Sequence, residues 1–282
     1  MKNTYIKSPL NYVGGKYKLL PQIIPLFPSN INVFVDLFGG GFNVGVNADA
    51  KRIVYNDLCL PVVKILDYLH SHTKEQMLNQ IDEYINKYKL SKTNDVGYKQ
   101  LREDYNKSED KNPIMLYTLI CYSFNNQIRF NSKGDYNMPF GKERSSFNPT
   151  LRDKFEKFVD ELHKKDFKFV NLDFRKIQNL KFKDNDFLYC DPPYYNSIAT
   201  YNENNGWNES DEQDLYDTLE FLTKNGSKWA MSNVINNKGK VNQMLIDWID
   251  SHNYKVHTFD GFTYMACGKG NSEAKEVLIT NY

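Results

Sequence analysis

Five short apolar runs, Asn32–Asp36, Arg52–Asn56, Phe167–Leu172, Asp186–Cys190 and Lys228–Ser232, restrict the fold more than any other feature of this sequence. Each is bounded by turn or charged residues, as expected of buried strands in a mostly parallel sheet. Helical patterns lie between them. One helix is predicted to open at Ser210 with Gln213 as a capping box and to turn Leu215, Leu219 and Leu222 to one side. The next carries Val241, Leu245 and Trp248 at helical spacing, and the chain then reads as two strands around Gly268 and Gly270, closing at Glu276–Asn281. The fold class is therefore α/β, a Rossmann-like open sheet.

About 110 residues separate the second and third runs, and their pattern is helical. Val62, Leu66 and Leu69 begin it. Thr73 and Gln76 form a capping box ahead of a stripe of Leu78, Ile81, Ile85 and Tyr88. Asn112-Pro113 opens an almost wholly apolar segment, 114–122, suited to a buried helix, and a hairpin-like loop follows at 131–135. The expected division is a catalytic domain over 1–60 and 160–282, with a helical insertion over 61–159.

The charges exclude a globally basic surface. With 36 Lys and Arg against 35 Asp and Glu the net charge is +1, so any nucleic-acid contact must come from a local patch. Cys59, Cys121, Cys190 and Cys267 lie far apart without a C-x-x-C pair, which argues against a zinc site or a disulfide framework. No apolar region follows Met1 and no run approaches a membrane span, so the expectation is a soluble, cytoplasmic chain without metal.

Ligands of open parallel sheets bind at the carboxyl ends of the strands, and the motifs fall there. Asp36-Leu37-Phe38-Gly39-Gly40-Gly41 follows the first run. Its glycines allow either close approach of a ligand or simply a tight strand-to-helix turn. Asp57 ends the second run, where an acid can accept ribose hydroxyls or cap the helix beginning near Pro61. Asn11-Tyr12-Val13-Gly14-Gly15-Lys16 can wrap an anionic group but is too short for a P-loop.

Asp191-Pro192-Pro193-Tyr194 is the most informative. Two prolines remove two N–H donors and hold the chain out of a helix. What remains is the Asp191 carboxylate, the Pro192 carbonyl and an aromatic face. An exocyclic amino group offers two N–H donors to such a site while Tyr194 stacks on its base.

Together these motifs resemble the Dam family of DNA adenine-N6 methyltransferases, of the alpha group and D12 class. The match also takes in residues 101–107, residues 131–142 and Ser232-Asn233, and so runs over nearly the whole chain. The resemblance implies an S-adenosyl-L-methionine-dependent enzyme acting on an adenine flipped from double-stranded DNA. Tyr12, Gly14, Lys16, Asp36, Phe38, Gly39, Asp57, Phe174 and Asp191 would surround the methyl donor. Asp191, Pro192, Pro193 and Tyr194 would form the catalytic site.

In the insertion, Phe124 and Asn125 would fill the gap left by the flipped base, Arg129 would read a guanine and Pro139 would touch a thymine methyl. Arg129, Lys133, Lys142 and Arg144 outnumber Asp135 and Glu143 here, a mildly basic loop. Two positions depart from the family pattern: Asn11 replaces a base-reading lysine, and Gln127 replaces Leu or Met. The expected target is thus GATC or a related short site, and a cognate restriction endonuclease is a possible genetic partner.

Three rivals remain open on sequence. A nicotinamide-dependent oxidoreductase would use Gly39, Gly41 and Asp57 but leave Asp191–Tyr194 without purpose. A non-catalytic DNA-binding module would not need that motif intact. A cytosine-N4 methyltransferase would share the fold, though by family resemblance Asp at 191 favours adenine.

Overall fold

A computed structural model describes residues 5–179, 181–195, 206–237, 239–259 and 275–282. Among them, eight strands form one sheet: β1 (Ile31–Asp36), β2 (Ala50–Asn56), β3 (Asp166–Val170), β4 (Phe187–Cys190), β5 (Lys228–Asn237), β6 (Lys240–Val241), β7 (Lys255–Thr258) and β8 (Lys275–Thr280). Their order is β3-β2-β1-β4-β5-β8-β7, with β6 beside β5. The first five are mutually parallel, and β8 runs antiparallel between β5 and β7. This is the expected open, mostly parallel α/β sheet.

The parallel strands are covered on both faces, as their apolar runs require. Phe34, Phe187 and Tyr189 point into one core, whereas the alternate residues Val35, Leu188 and Cys190 point into the other. The first core is continuous with that of the helical segment between β2 and β3. There α1 (Leu60–Ser71), α2 (Lys74–Lys87), α3 (Asp95–Lys107), α4 (Pro113–Tyr122) and α5 (Pro149–Leu162) pack around α4, whose residues 114–122 are all buried. The capping box of Thr73 and Gln76 forms, and Asn112 caps α4 through two backbone amides.

On the other face lie α6 (Glu209–Lys224) and α7 (Gln243–His252). The α6 face of Leu215, Leu219 and Leu222 is buried as predicted, but the cap is not Ser210. Asn208 takes that role with Asp211, because Asn is at least as good a cap as Ser and Asp211 can reach back to its amide. Val241 does not belong to α7. It pairs with Asn236 in β6 and is exposed, while Asn242 caps the helix and Leu245, Trp248 and Ile249 are buried. Strand β3 stops at Val170, short of Leu172, and β5 continues past Ser232 to Asn237. The predicted strand turn at Gly268 and Gly270 lies outside the described residues. No helix among the described residues is long and apolar enough to cross a membrane.

Candidate active site

The sheet reverses its winding between β1 and β4: β2 and β3 extend it one way, β4 and β5 the other. A crevice opens at the carboxyl ends of strands at such a point. Here it is a cavity of about 520 Å³, lined by the 12–16 loop, residues 36–41, Asp57, Phe174, residues 191–194 and Trp207. Tyr12, Gly14, Lys16, Asp36, Phe38, Gly39, Asp57, Phe174, Asp191, Pro192, Pro193 and Tyr194, spread over 183 residues of sequence, all line it.

The glycine turn owes its composition first to packing. A Cβ on Gly39 would sit 2.2 Å from the Tyr55 ring, and Gly40 has φ +48°. The turn delivers the Gly40 N–H to Asp57 Oδ2 at 2.8 Å, while Asp57 Oδ1 accepts from Cys59 N at 2.8 Å. Asp57 thus ties the loop before α1 and also lines the cavity. Cys59 occupies the N-cap position itself, without a side-chain cap bond. Each Asp57 oxygen keeps a second lone pair for a ligand. Burial raises the pKa of Asp57 despite these two bonds, and pushes Asp36 up to about 8 against the amide of Gly45, with Asp191 and Asp57 adding to the rise.

Asp191 follows β4 directly and meets the cation that the 12–16 loop provides. Lys16 Nζ lies 2.7 Å from Asp191 Oδ2 and donates to Gly14 O at 2.8 Å. A third contact was not foreseen: Glu276 Oε1, on β8, is 3.3 Å from the same ammonium. The Tyr194 hydroxyl is 3.1 Å from both Asp191 Oδ1 and Glu276 Oε1. Burial raises the Asp191 carboxyl to about 6. The Lys16 ammonium opposes that shift and the Glu276 carboxylate reinforces it.

An aromatic wall completes the cavity. Phe38, Phe174 and Trp207 stand 5.4–5.7 Å apart by ring centroids, and Arg175 lies over the Phe174 ring at 4.6 Å. Trp207 was not among the residues singled out from the sequence. It sits beside the α6 cap, and no motif marks it.

The predicted DNA-facing residues lie apart from the cavity lining, and all but Asn11 lie between β2 and β3. Phe124, Asn125, Arg129 and Pro139 are exposed, and Gln127 is half-buried. They sit on a hairpin closed by bridges Ser123↔Phe140 and Phe130↔Tyr136. Its backbone is gripped from α3: Arg102 donates to Met138 O, and Asn106 exchanges two hydrogen bonds with the Tyr136 backbone. Arg129 is held by Asn137 through Nε (2.7 Å) and Nη2 (3.0 Å). Asn125 and Asn126 both adopt left-handed backbone angles, φ +54° and +52°, a conformation that Asn tolerates better than most residues. Asn11 donates to Asn125 O at 2.7 Å, so the cavity loop touches the exposed turn. Among the described residues, no group of three or more His, Cys, Asp or Glu could hold a metal ion.

A model of the D12 class N6 adenine-specific DNA methyltransferases matches residues 12–263. The Type II methyltransferase M.FokI of Planomicrobium okeanokoites is 46% identical over 99% of this chain and 43% of its own length. The modification methylase StsI of Streptococcus sanguinis is 41% identical, again over 99% of this chain and 43% of its own. The DNA adenine methylase of Escherichia coli K12 is 26% identical over 68% of this chain and 66% of its own. The chain therefore spans less than half the length of the first two relatives. The family match covers the cavity loops, the hairpin and the Asp191–Tyr194 turn alike, and the chain belongs to the D12 class N6 adenine-specific DNA methyltransferase family.

Proposed function

We propose that this chain transfers a methyl group from S-adenosylmethionine to N6 of an adenine flipped out of duplex DNA. The observation that carries the reading is the turn Asp191–Tyr194 at the end of β4, opening on the same cavity as Asp57 and the glycine turn. The cavity fits such a donor. Its volume lies within the usual ligand range of about 300–1,000 Å³. Asp57 suits ribose hydroxyls, the Phe38–Phe174 wall suits an adenine ring, and the carboxylates of Asp36, Asp57 and Asp191 suit a cationic ligand. S-adenosylmethionine supplies an electrophilic methyl group when bound.

The residues of the chain then orient and accept. Asp191 and the Pro192 carbonyl take the two N–H donors of the adenine amino group while Tyr194 stacks on the ring, and the N6 lone pair is left facing the methyl. Lys16 and Tyr194 fix the Asp191 carboxylate during this step. The new N–CH3 bond forms as the S–CH3 bond breaks, and one amino proton leaves toward Asp191 or water.

We assign residues 1–60 and 160–282 to this chemistry and 61–159 to target recognition. Phe124 and Asn125 would occupy the space of the flipped base, and Arg129 would read guanine through its remaining guanidinium edge. GATC or a related short site is the target we infer, with Asn11 and the Gln127 amide altering the preference at its edges. StsI is named as a modification methylase, which supports a modification role for this chain; that it works beside a restriction endonuclease and in the cytoplasm is part of our inference.

The test is to incubate the protein with methyl-labelled S-adenosylmethionine and duplex DNA, digest the product and identify the labelled nucleoside. N6-methyladenine is expected. Label in N4-methylcytosine, or none in DNA, would overturn the proposal.

A further inference from the structure

Glu276 is an anomaly in its strand. Val277, Leu278 and Ile279 after it are completely buried, and β8 is an interior strand, yet Glu276 is itself only 4% exposed. Carboxylates are almost never buried so deeply unless matched. Its match is meagre. Both its contacts, from Lys16 and Tyr194, reach Oε1, and Oε2 has no hydrogen-bond partner among the described residues. Nor is Glu276 needed to neutralise Lys16, which already has Asp191 at 2.7 Å and the Gly14 carbonyl at 2.8 Å. One ammonium thus serves two carboxylates. One hydroxyl, carrying one proton, stands equally close to both.

We propose that Glu276 is a positioning residue for methyl transfer: through Lys16 and Tyr194 it fixes the Asp191 carboxylate and strengthens it as acceptor of the substrate amino group. The proposal rests on the methyl-transfer reading above. A second negative charge across the shared ammonium makes Asp191 more basic than Lys16 alone would leave it. A more basic acceptor draws harder on the N–H donors as positive charge develops on N6. The groups facing Asp191 are Lys16 from the N-terminal loop, Glu276 from β8, Tyr194 from its own turn, Asp36 from β1, and Tyr189 and Cys190 from β4. Of these, Glu276 is the carboxylate that shares both Lys16 and Tyr194 with it.

The experiment compares single-turnover methylation of duplex DNA between pH 5 and 9, at saturating S-adenosylmethionine, for wild type, Glu276→Gln and Tyr194→Phe. Glu276→Gln keeps the shape and removes the charge. Its rate is expected to fall at least about fivefold, its acid limb to move to lower pH, and its affinities for the methyl donor and DNA to stay within about threefold of wild type. Tyr194→Phe removes a hydrogen bond that favours ionised Asp191, so its acid limb should move the opposite way. Generalised damage would not produce shifts of opposite sign.

An unchanged rate and acid limb in Glu276→Gln would overturn the proposal, as would weaker donor binding with a normal rate at saturation. Should Glu276→Gln prove unfolded by circular dichroism, Glu276→Asp takes its place. It withdraws the charge by one methylene, and a smaller shift in the same direction is expected; no shift overturns the proposal. Absence of methylation by the wild type would instead reject the underlying function.

Discussion

The cavity and the hairpin are built on opposite plans. In the cavity the side chains that matter are buried or half-buried and each is held in place: Asp57 by two backbone amides, Asp191 by Lys16 and Tyr194, Asp36 by the Gly45 amide. In the hairpin the side chains are exposed, and it is the backbone that is held, by Arg102 and Asn106 from α3. The first plan fixes atoms for chemistry that tolerates little displacement. The second fixes a platform and leaves its side chains to meet whatever surface is presented. Substitutions in the two regions should therefore fail in different ways.

Asp191→Ala is expected to give the largest effect, a loss of methylation of at least about a thousandfold with duplex affinity nearly intact, because duplex affinity generally rests mainly on phosphate contacts away from the reacting base. Methyl incorporation and a gel-shift titration on the same preparation check both halves. Turnover within tenfold of wild type would break the contrast at its strongest point.

Asp57→Ala should weaken S-adenosylmethionine by at least about tenfold, since charge-assisted ribose bonds contribute about 1.5–3 kcal/mol each. Base preference should not change. Calorimetry with unaltered affinity would reduce Asp57 to a tether between Gly40 and Cys59.

Arg129→Ala should lower discrimination against a changed guanine by about 1–3 kcal/mol while cognate binding falls less. The comparison needs cognate and single-guanine variant duplexes over a range of salt. A uniform loss with a shallower salt slope would make Arg129 a backbone contact.

Affinity for the methyl donor should also depend on pH. Asp36 and Asp191 have raised pKa values, about 8 and about 6, chiefly through burial. A cationic ligand favours their ionised forms, so binding releases protons and tightens as pH rises from 6 to 8, by an amount on the order of tenfold. Equal calorimetric affinities at pH 6 and 8 would argue against a cationic group beside these carboxylates.

The smallest effect concerns the seam between the regions. Asn11→Ala removes the bond to Asn125 O, worth about 0.5–1.5 kcal/mol. A two- to tenfold weakening of duplex binding is expected by fluorescence anisotropy, with donor affinity unchanged. If Asn11 instead reads a base, the loss will depend on sequence.

How legible all this was depended on sequence distance. The strands, the Thr73 and Asn112 caps and the strand-end motifs rest on short-range patterns, and these were readable. The cap at Asn208 was misplaced by two residues because both Asn208 and Ser210 are capable caps and only the turn geometry chooses. Val241 fits helical spacing, yet its pairing with Asn236 decides otherwise. Glu276 stands 260 residues from Lys16, and their meeting depends on β8 inserting antiparallel between β5 and β7. A glutamate directly before the apolar run of Val277, Leu278 and Ile279 was nevertheless a usable sign. Trp207 carried none, since one aromatic residue beside a cap is ordinary in a chain with 38 Phe and Tyr.

The grip of α3 on the hairpin backbone also bears on how such a protein changes over generations. Arg102 and Asn106 bind two carbonyls and an amide of the backbone at Met138 and Tyr136, groups that every residue type except proline presents. The exposed positions 129 and 139 can therefore be substituted without releasing the loop, and exposed substitutions of that kind usually alter stability by no more than about 0.5 kcal/mol. If the hairpin reads the target as proposed, a lineage can wander from one target sequence to another while its cavity stays under constraint. New specificities would then arise by point substitution in a fixed frame rather than by rebuilding the insertion.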